Sequence, residues 1–363
     1  MRHRRVENDS GVRSTRIDSR RYFLKLLAGL GAGAVLPVDA LMAQAPGSVA
    51  PNRIDVHHHI WPPRYVDRMR EQMLEIADVD PAPLLTWTPA RSVEEMDRHG
   101  VATAISSMSV PGVWVGDLLA SRSLARICNE FAAEMVSNHP GRFGFFAALP
   151  LPDQEGSLAE IAYALDELQA DGIGLMTSYG DRWPGDPAFA PVFDELNRRR
   201  AVVFIHPNVP GCCTNLVTGI PPPLTEFLFD TTRAITSLLV SGTFARCPDI
   251  RFIFCHAGGT MPVLASRINA FFRRHPEFDV RVPNGVLHEL TRLHYDIANS
   301  ANPSSLSALM NLVPMSQILF GSDFPFLPTA VTTSGFDGYG LSSDDMQAIN
   351  RTNATRLFPR LSG

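Results

Sequence analysis

Lysine is all but absent from this chain: of 32 basic residues in 363, Lys25 is the single lysine, and none follows it. Cysteine is sparse too. Cys128, Cys212, Cys213, Cys247 and Cys255 are an odd set that cannot all pair within one chain, so free thiols are expected. No Cys-x-x-Cys partner stands beside Cys212-Cys213, which argues against a soft metal site there. Charged residues make up only 19% against 45% apolar, which excludes a disordered chain, and the 26 glycines and 29 prolines indicate a loop-rich globular protein. After Pro51 no stretch is rich enough in Gly, Ser or charge to mark a linker, so residues 46–363 read as one domain. That length suits a barrel, which folds as a unit at roughly 250 residues.

The first 45 residues differ in composition. Eight basic residues, Lys25 among them, face only Glu7, Asp9, Asp18 and Asp39. The remaining body holds 24 basic and 33 acidic residues, and a net charge of −9 makes it a poor partner for nucleic acid or an anionic membrane. The apolar run Leu26 to Leu36 is too short for a span of roughly 20 residues, so no stable membrane span is expected after processing. Ser19-Arg20-Arg21-Tyr22-Phe23-Leu24-Lys25, this run, and small residues around Ala40, Ala43 and Ala45 together resemble a twin-arginine export signal. The resemblance implies folding in the cytosol, then export to the periplasm. A basic arm or an uncleaved anchor is the other reading, and Pro46 after Ala45 leaves the cleavage point open.

Eight apolar runs read as strands: Arg53–Ile60, Val101–Val110, Arg142–Leu151, Gly172–Tyr179, Ala201–Pro207, Arg251–Gly259, Leu293–Ser300 and Ile318–Pro325. Helical patterns lie between them, at Leu118 to Asn138, Ser157 to Ala170, Pro187 to Arg199, Thr225 to Phe244, Met261 to Arg274 and Pro303 to Leu312. Continuous apolar strands alternating with helices predict a parallel sheet buried on both faces, and eight units predict a closed (β/α)8 barrel of the TIM type. An open doubly wound sheet would need a Gly-rich phosphate loop after the first strand; His57-His58-His59 stands there instead.

In such a barrel, chemistry sits at the C-terminal ends of the strands. The first strand carries Asp55-Val56-His57-His58-His59, where alternation puts His57 and His59 on one face and His58 on the other. The fifth ends at His206, the sixth runs through Cys255-His256-Ala257-Gly258-Gly259, and the eighth through Gly321-Ser322-Asp323-Phe324-Pro325. Burying so many titratable groups without a cation would cost several kcal/mol, so they point to a metal site.

These motifs resemble the amidohydrolase superfamily, in its branch of aminocarboxymuconate-semialdehyde decarboxylase-like enzymes, over Arg53 to Leu361. The resemblance implies that His57, His59, His206 and Asp323 bind one divalent metal and that His256 acts as acid/base. Three nitrogens and one oxygen suit Zn²⁺, with Mn²⁺ a substitute, and no organic cofactor is expected. Binuclear relatives bridge two metals with a carboxylated lysine at the end of the fourth strand; Gly174 to Tyr179 offers none, so one metal is expected.

Two reactions suit such a site: non-oxidative decarboxylation of a small carboxylic acid, with Asp323 or His256 as proton donor, or hydrolysis of a lactone, ester or amide. The resemblance favours the first. It implies that Arg267, eleven residues after His256, binds substrate in a neighbouring subunit's site, and hence a homodimer or larger assembly. The second arginine of the branch has no counterpart before Trp87-Thr88-Pro89, which argues against the muconate semialdehyde as substrate. Gly219 to Pro223, Phe229 to Arg233 and Tyr179-Gly180-Asp181 look more like the 6-methylsalicylate decarboxylases, with Phe326 and Trp61 as candidates to pack a substrate ring.

Overall fold

The computed structural model describes residues 52–76, 82–214, 216–217 and 219–361; the export-signal reading of residues 1–45 lies outside them. Eight strands form one sheet in the order of the chain: β1 Arg53–His59, β2 Val101–Ser107, β3 Phe143–Ala148, β4 Gly172–Met176, β5 Val202–His206, β6 Arg251–Phe254, β7 His294–Asp296 and β8 Ile318–Leu319. Every adjacent pair is parallel. Backbone bonds return β8 to β1: Val56 N–H donates to Phe320 O at 3.0 Å, Asp323 N–H to His57 O at 2.8 Å and His59 N–H to Phe324 O at 2.7 Å. The expected barrel is formed.

Among the described residues, nine α-helices reach eight residues or more: α1 Pro63–Ile76, α2 Pro89–Arg98, α3 Leu118–Asn138, α4 Gln154–Ala162, α5 Ala190–Arg198, α6 Glu226–Ser241, α7 Met261–Phe272, α8 Pro303–Leu312 and α9 Ala330–Asp337. Asp117 caps α3 by accepting Ala120 N–H, and Asn302 caps α8 by accepting Ser305 N–H, which is why these two begin where the sequence places them. No helix among the described residues is long and apolar enough to cross a membrane.

Two sets of buried side chains make the core. Ile54, Val56, Ile105, Phe146, Val202, Phe204, Ile253, Cys255 and Leu319 fill the interior, with Ala354, Leu357, Phe358 and Leu361 of the C-terminal segment. Phe146 and Phe204 stack there at 5.0 Å. The alternate strand residues, such as Phe252, Phe254, Val203 and Ile205, belong to the larger cluster that packs the helices.

The strands are shorter at their C-terminal ends than the apolar runs predict, because the backbone leaves the ladder there to build the loops of the site. His256, Ala257, Gly258 and Gly259 all have positive φ, and so does Asp323. This left-handed path turns the chain out of the strand after β6. A Cβ on Gly259 would lie 2.2 Å from Leu228 O and one on Gly258 2.6 Å from Tyr295 Cε1, so the two glycines answer both the conformation and the packing.

Asp55 ties the two ends of the sheet together. Its Oδ1 accepts His57 N–H at 3.0 Å and Ser322 N–H at 3.0 Å, while Oδ2 accepts from His58 Nδ1 at 3.1 Å and from the Ser322 hydroxyl. Its carboxylate is 1% exposed, so removal strands several buried donors at once. Asp55→Ala should destabilise the fold by about 3 kcal/mol or more, read as a Tm several degrees lower; an unchanged Tm would refute this role.

Candidate metal centre and active site

Three strand ends converge on one point above the barrel interior. His57 Nε2 and His59 Nε2 are 3.1 Å apart, and Asp323 Oδ1 lies 3.3 Å from the first and 3.1 Å from the second. His206 completes the group, and the four candidate ligand atoms all lie within 4.8 Å of one another. All four residues are buried. Regular alternation cannot by itself place both Val56 in the interior and His57 at the site; the β1–β2 register shifts between Asp55 and His58 and lets both face inward.

The opposite ring nitrogens fix the histidine orientations. His57 Nδ1 donates to Asp296 Oδ2 at 3.0 Å, His206 Nδ1 to Pro207 O at 2.8 Å, and His59 Nδ1 is 3.4 Å from Ser107 O and 3.2 Å from the Ser107 hydroxyl. Each imidazole thereby turns its Nε2 inward, the usual arrangement behind metal-bound histidines. Ligand atoms about 2.1 Å from one ion at tetrahedral to octahedral angles sit ~3.0–3.4 Å apart, the spacing found among the His57, His59 and Asp323 atoms. The donor set therefore fits one divalent cation.

Electrostatics agree. Burial, then the neighbouring histidines His59 and His57, hold His206 well below its ordinary value, and burial brings His59 down to about 4 despite its bond to Asp323. Both rings are neutral at pH 7, as ligands must be. Burial opposes a charge on His57 as well, but the Asp296 carboxylate, with Cys255 and Asp323 around it, prevails and raises it. Burial raises Asp323, yet the His57 charge and the bonds from His57 and His59 override that and hold it well below the carboxylate range. Positive charge is thus favoured between two carboxylates.

His256 stands beside the four ligands. Its Nδ1 donates to Ala298 O at 2.9 Å, which leaves Nε2 facing Asp323 Oδ2 at 4.0 Å. Its backbone N–H reaches Asp296 Oδ1 at 3.1 Å, so Asp296 positions both a ligand and the acid/base candidate. Asp296 was not singled out from sequence: it stands in the middle of the run Leu293–Ser300, and only the observed end of β7 at Asp296 puts it on the rim. His58 points away from the site. Its Nε2 meets the Ser92 hydroxyl on α2 at 2.9 Å, the structural role that its alternate face predicts.

Above the metal centre opens a cavity of about 380 Å³ whose walls include His206, His256 and Asp323, apolar Val110, Phe227, Leu228 and Phe326, and polar Asn299 and Ser300. Phe326 lies on this wall, edge-on to His59 at 5.5 Å. Trp61 does not: it is 2% exposed and packs behind Phe326 at 5.5 Å, so it supports the ring-facing residue and leaves the wall to it. Arg267 is exposed on α7 and is absent from the cavity wall of its own chain.

A parallel eight-stranded barrel with a His-His-His-Asp metal site at its C-terminal rim defines the class of metal-dependent barrel enzymes. Residues 54–360 match the amidohydrolase family model, and the chain belongs to that family. It is 37% identical over 333 residues to Decarboxylase yanB of Aspergillus niger, covering 85% of this chain and 88% of that one. It is 36% identical over 320 residues to the 6-methylsalicylic acid decarboxylase of Penicillium expansum, covering 86% and 97%. A dihydroxybenzoic acid decarboxylase structure from a Polaromonas species, with bound manganese and the inhibitor 2-nitroresorcinol, shares the fold at a TM-score of 0.74, with 22% identity over 86% of this chain and 98% of that one.

Metal analysis of the purified protein should find one divalent ion per chain. His57→Ala and His206→Ala should lose it, whereas His256→Ala should keep it; two ions per chain, or loss from the His256 variant, would overturn the ligand assignment.

Proposed function

We infer that the protein is a metal-dependent, non-oxidative decarboxylase of a small hydroxyaromatic acid of the salicylate type. One observation carries the reading: the His256 Nε2 and Asp323 Oδ2 pair, 4.0 Å apart, faces an apolar cavity at the metal centre. Decarboxylases of the 6-methylsalicylate kind among its relatives support the same substrate class.

A divalent ion held by His57, His59, His206 and Asp323 would supply a Lewis acid for the carboxylate and the ortho oxygen of such a substrate. The remaining steps fall to the chain's own groups. Phe326, backed by Trp61, packs the ring and keeps water from it. The transferable proton comes from His256 Nε2 or Asp323 Oδ2, which face the cavity together; it passes to the ring carbon that bears the carboxylate, and the electrons of the breaking C–C bond restore the ring as CO₂ leaves. Ala298 O fixes the His256 tautomer, so Nε2 is the nitrogen that exchanges. The three-nitrogen, one-oxygen donor set favours zinc as resident ion, and the manganese of the Polaromonas structure marks the substitute. Arg267, exposed on α7, would reach the cavity of a neighbouring copy, which makes the working unit a homodimer or larger. Residues 1–45 act as a twin-arginine signal, so the enzyme works in the periplasm.

Offered 6-methylsalicylate, other hydroxybenzoates and a set of lactones, the holoenzyme should release CO₂ from an ortho-hydroxybenzoate; ring opening of a lactone without CO₂ release would establish a hydrolase instead. His256→Ala should lower kcat at least about a hundredfold with the metal retained. Replacing Arg20 and Arg21 together by lysine should leave the protein in the cytosolic fraction, and undiminished export of that variant would sink the signal assignment.

A further inference from the structure

Outside the metal centre, one pair of reactive side chains stands apart. Cys212 and Cys213 occupy the turn Gly211–Cys213, and their Sγ atoms are 2.6 Å apart. That is well inside ordinary non-bonded contact, about 3.5 Å or more, and near the ~2.05 Å of a disulfide. The turn is held from both sides: Cys212 N–H donates to Asp181 Oδ1 at 2.9 Å and Cys213 N–H to Pro210 O at 2.9 Å. Cys212 is exposed; Cys213 is buried, and its contact with Cys212, then burial, pushes its thiol up to about 11. Cys128, Cys247 and Cys255 are buried away from this turn. The turn also adjoins the active site. Cys213 shares a small cleft with Ile220 and Pro222, and the intervening Pro221, with Pro223 and Leu224, belongs to the wall of the active-site cavity.

We propose that Cys212 and Cys213 are a redox-modification site that closes into a reversible vicinal disulfide and thereby shifts the Pro221–Leu224 wall of the cavity. The oxidant class is a small-molecule disulfide. The exposed Cys212 thiolate attacks one of its sulfurs and displaces a thiol; Cys213 then loses its proton to solvent and attacks Cys212 Sγ, which forms the bond and releases the second thiol. Two protein thiols are oxidised, one disulfide is reduced, and the electrons balance. Adjacent residues have Cα atoms about 3.8 Å apart, closer than the ~4.4–6.8 Å usual for a disulfide, so the ring is strained and easily reduced. Such lability belongs to switching disulfides more than to structural ones.

The test treats the full-length protein with oxidised glutathione, alkylates it after denaturation and maps its peptides by mass spectrometry. The peptide bearing both cysteines should lose the mass of two hydrogens, resist alkylation and recover with dithiothreitol. Cys212→Ser and Cys213→Ser should each abolish this and leave the other three cysteines alkylatable. In the oxidised wild type, KM for the ortho-hydroxybenzoate should rise about threefold or more with kcat held within about twofold, and neither serine variant should respond. A glutathione adduct that persists on Cys212, a disulfide joining two copies, or a pair that stays reduced overturns the proposal; a vicinal disulfide that leaves KM unmoved overturns its link to the cavity. The kinetic arm rests on the decarboxylase reading and the thiol chemistry does not, so the two failures are told apart.

Discussion

Three imidazole lone pairs and a carboxylate oxygen are aimed at the same point, and nearly everything else around the barrel mouth keeps them there. Left to themselves, His57 Nε2, His59 Nε2 and Asp323 Oδ1 at 3.1–3.3 Å would spread apart or take up protons. They are held by what stands behind them. Asp296 fixes His57, Ser107 fixes His59, and Pro207 O fixes His206. Each of these bonds uses up the nitrogen that faces away from the site, and a ring so oriented has only one nitrogen left to offer a cation.

Backbone strain is concentrated at the same rim. His256, Ala257 and Asp323 adopt positive φ without being glycine, a conformation of order 1–3 kcal/mol above the ordinary one. The barrel can bear this because the strand ends are over-determined: Asp323 N–H is bonded to His57 O, His256 N–H to Asp296, and Asp55 joins β1 to the Ser322 turn.

How much of this was legible in the sequence follows from which signals survive folding. Buried parallel strands leave uninterrupted apolar runs, so all eight were visible, and a polar residue ending such a run marks the rim, where the structure gathers His57, His59, His206 and Asp323 with His256 beside them. Strand ends were overextended because hydrophobicity continues into the loops after hydrogen bonding stops, as in Val101–Val110, where the ladder ends at Ser107. Helices α1, α2 and α9 went unread, although α1 buries Tyr65, Val66, Met69 and Met73 at helical spacing. Trp61 illustrates a different limit. Its position next to the metal strand suggested a substrate contact, but whether an aromatic faces a cavity or lies one layer behind it depends on Phe326, which is more than 260 positions away in the chain.

The cavity then decides what kind of charge the site can accept. Its wall in this chain carries neither arginine nor lysine among the described residues. A carboxylate entering among Val110, Phe227, Leu228 and Phe326 loses its water, and in so apolar a setting only a nearby positive charge repays that loss. The cation site lies at the floor, so the acid end of a substrate is drawn there and the ring is left against the apolar wall. Once the carboxylate has become CO₂ the charge that held it is gone, and the phenol left behind keeps only its ortho oxygen to offer the cation. The same asymmetry, charged substrate in and neutral gas out, gives the metal centre a direct preference for the acid over its product.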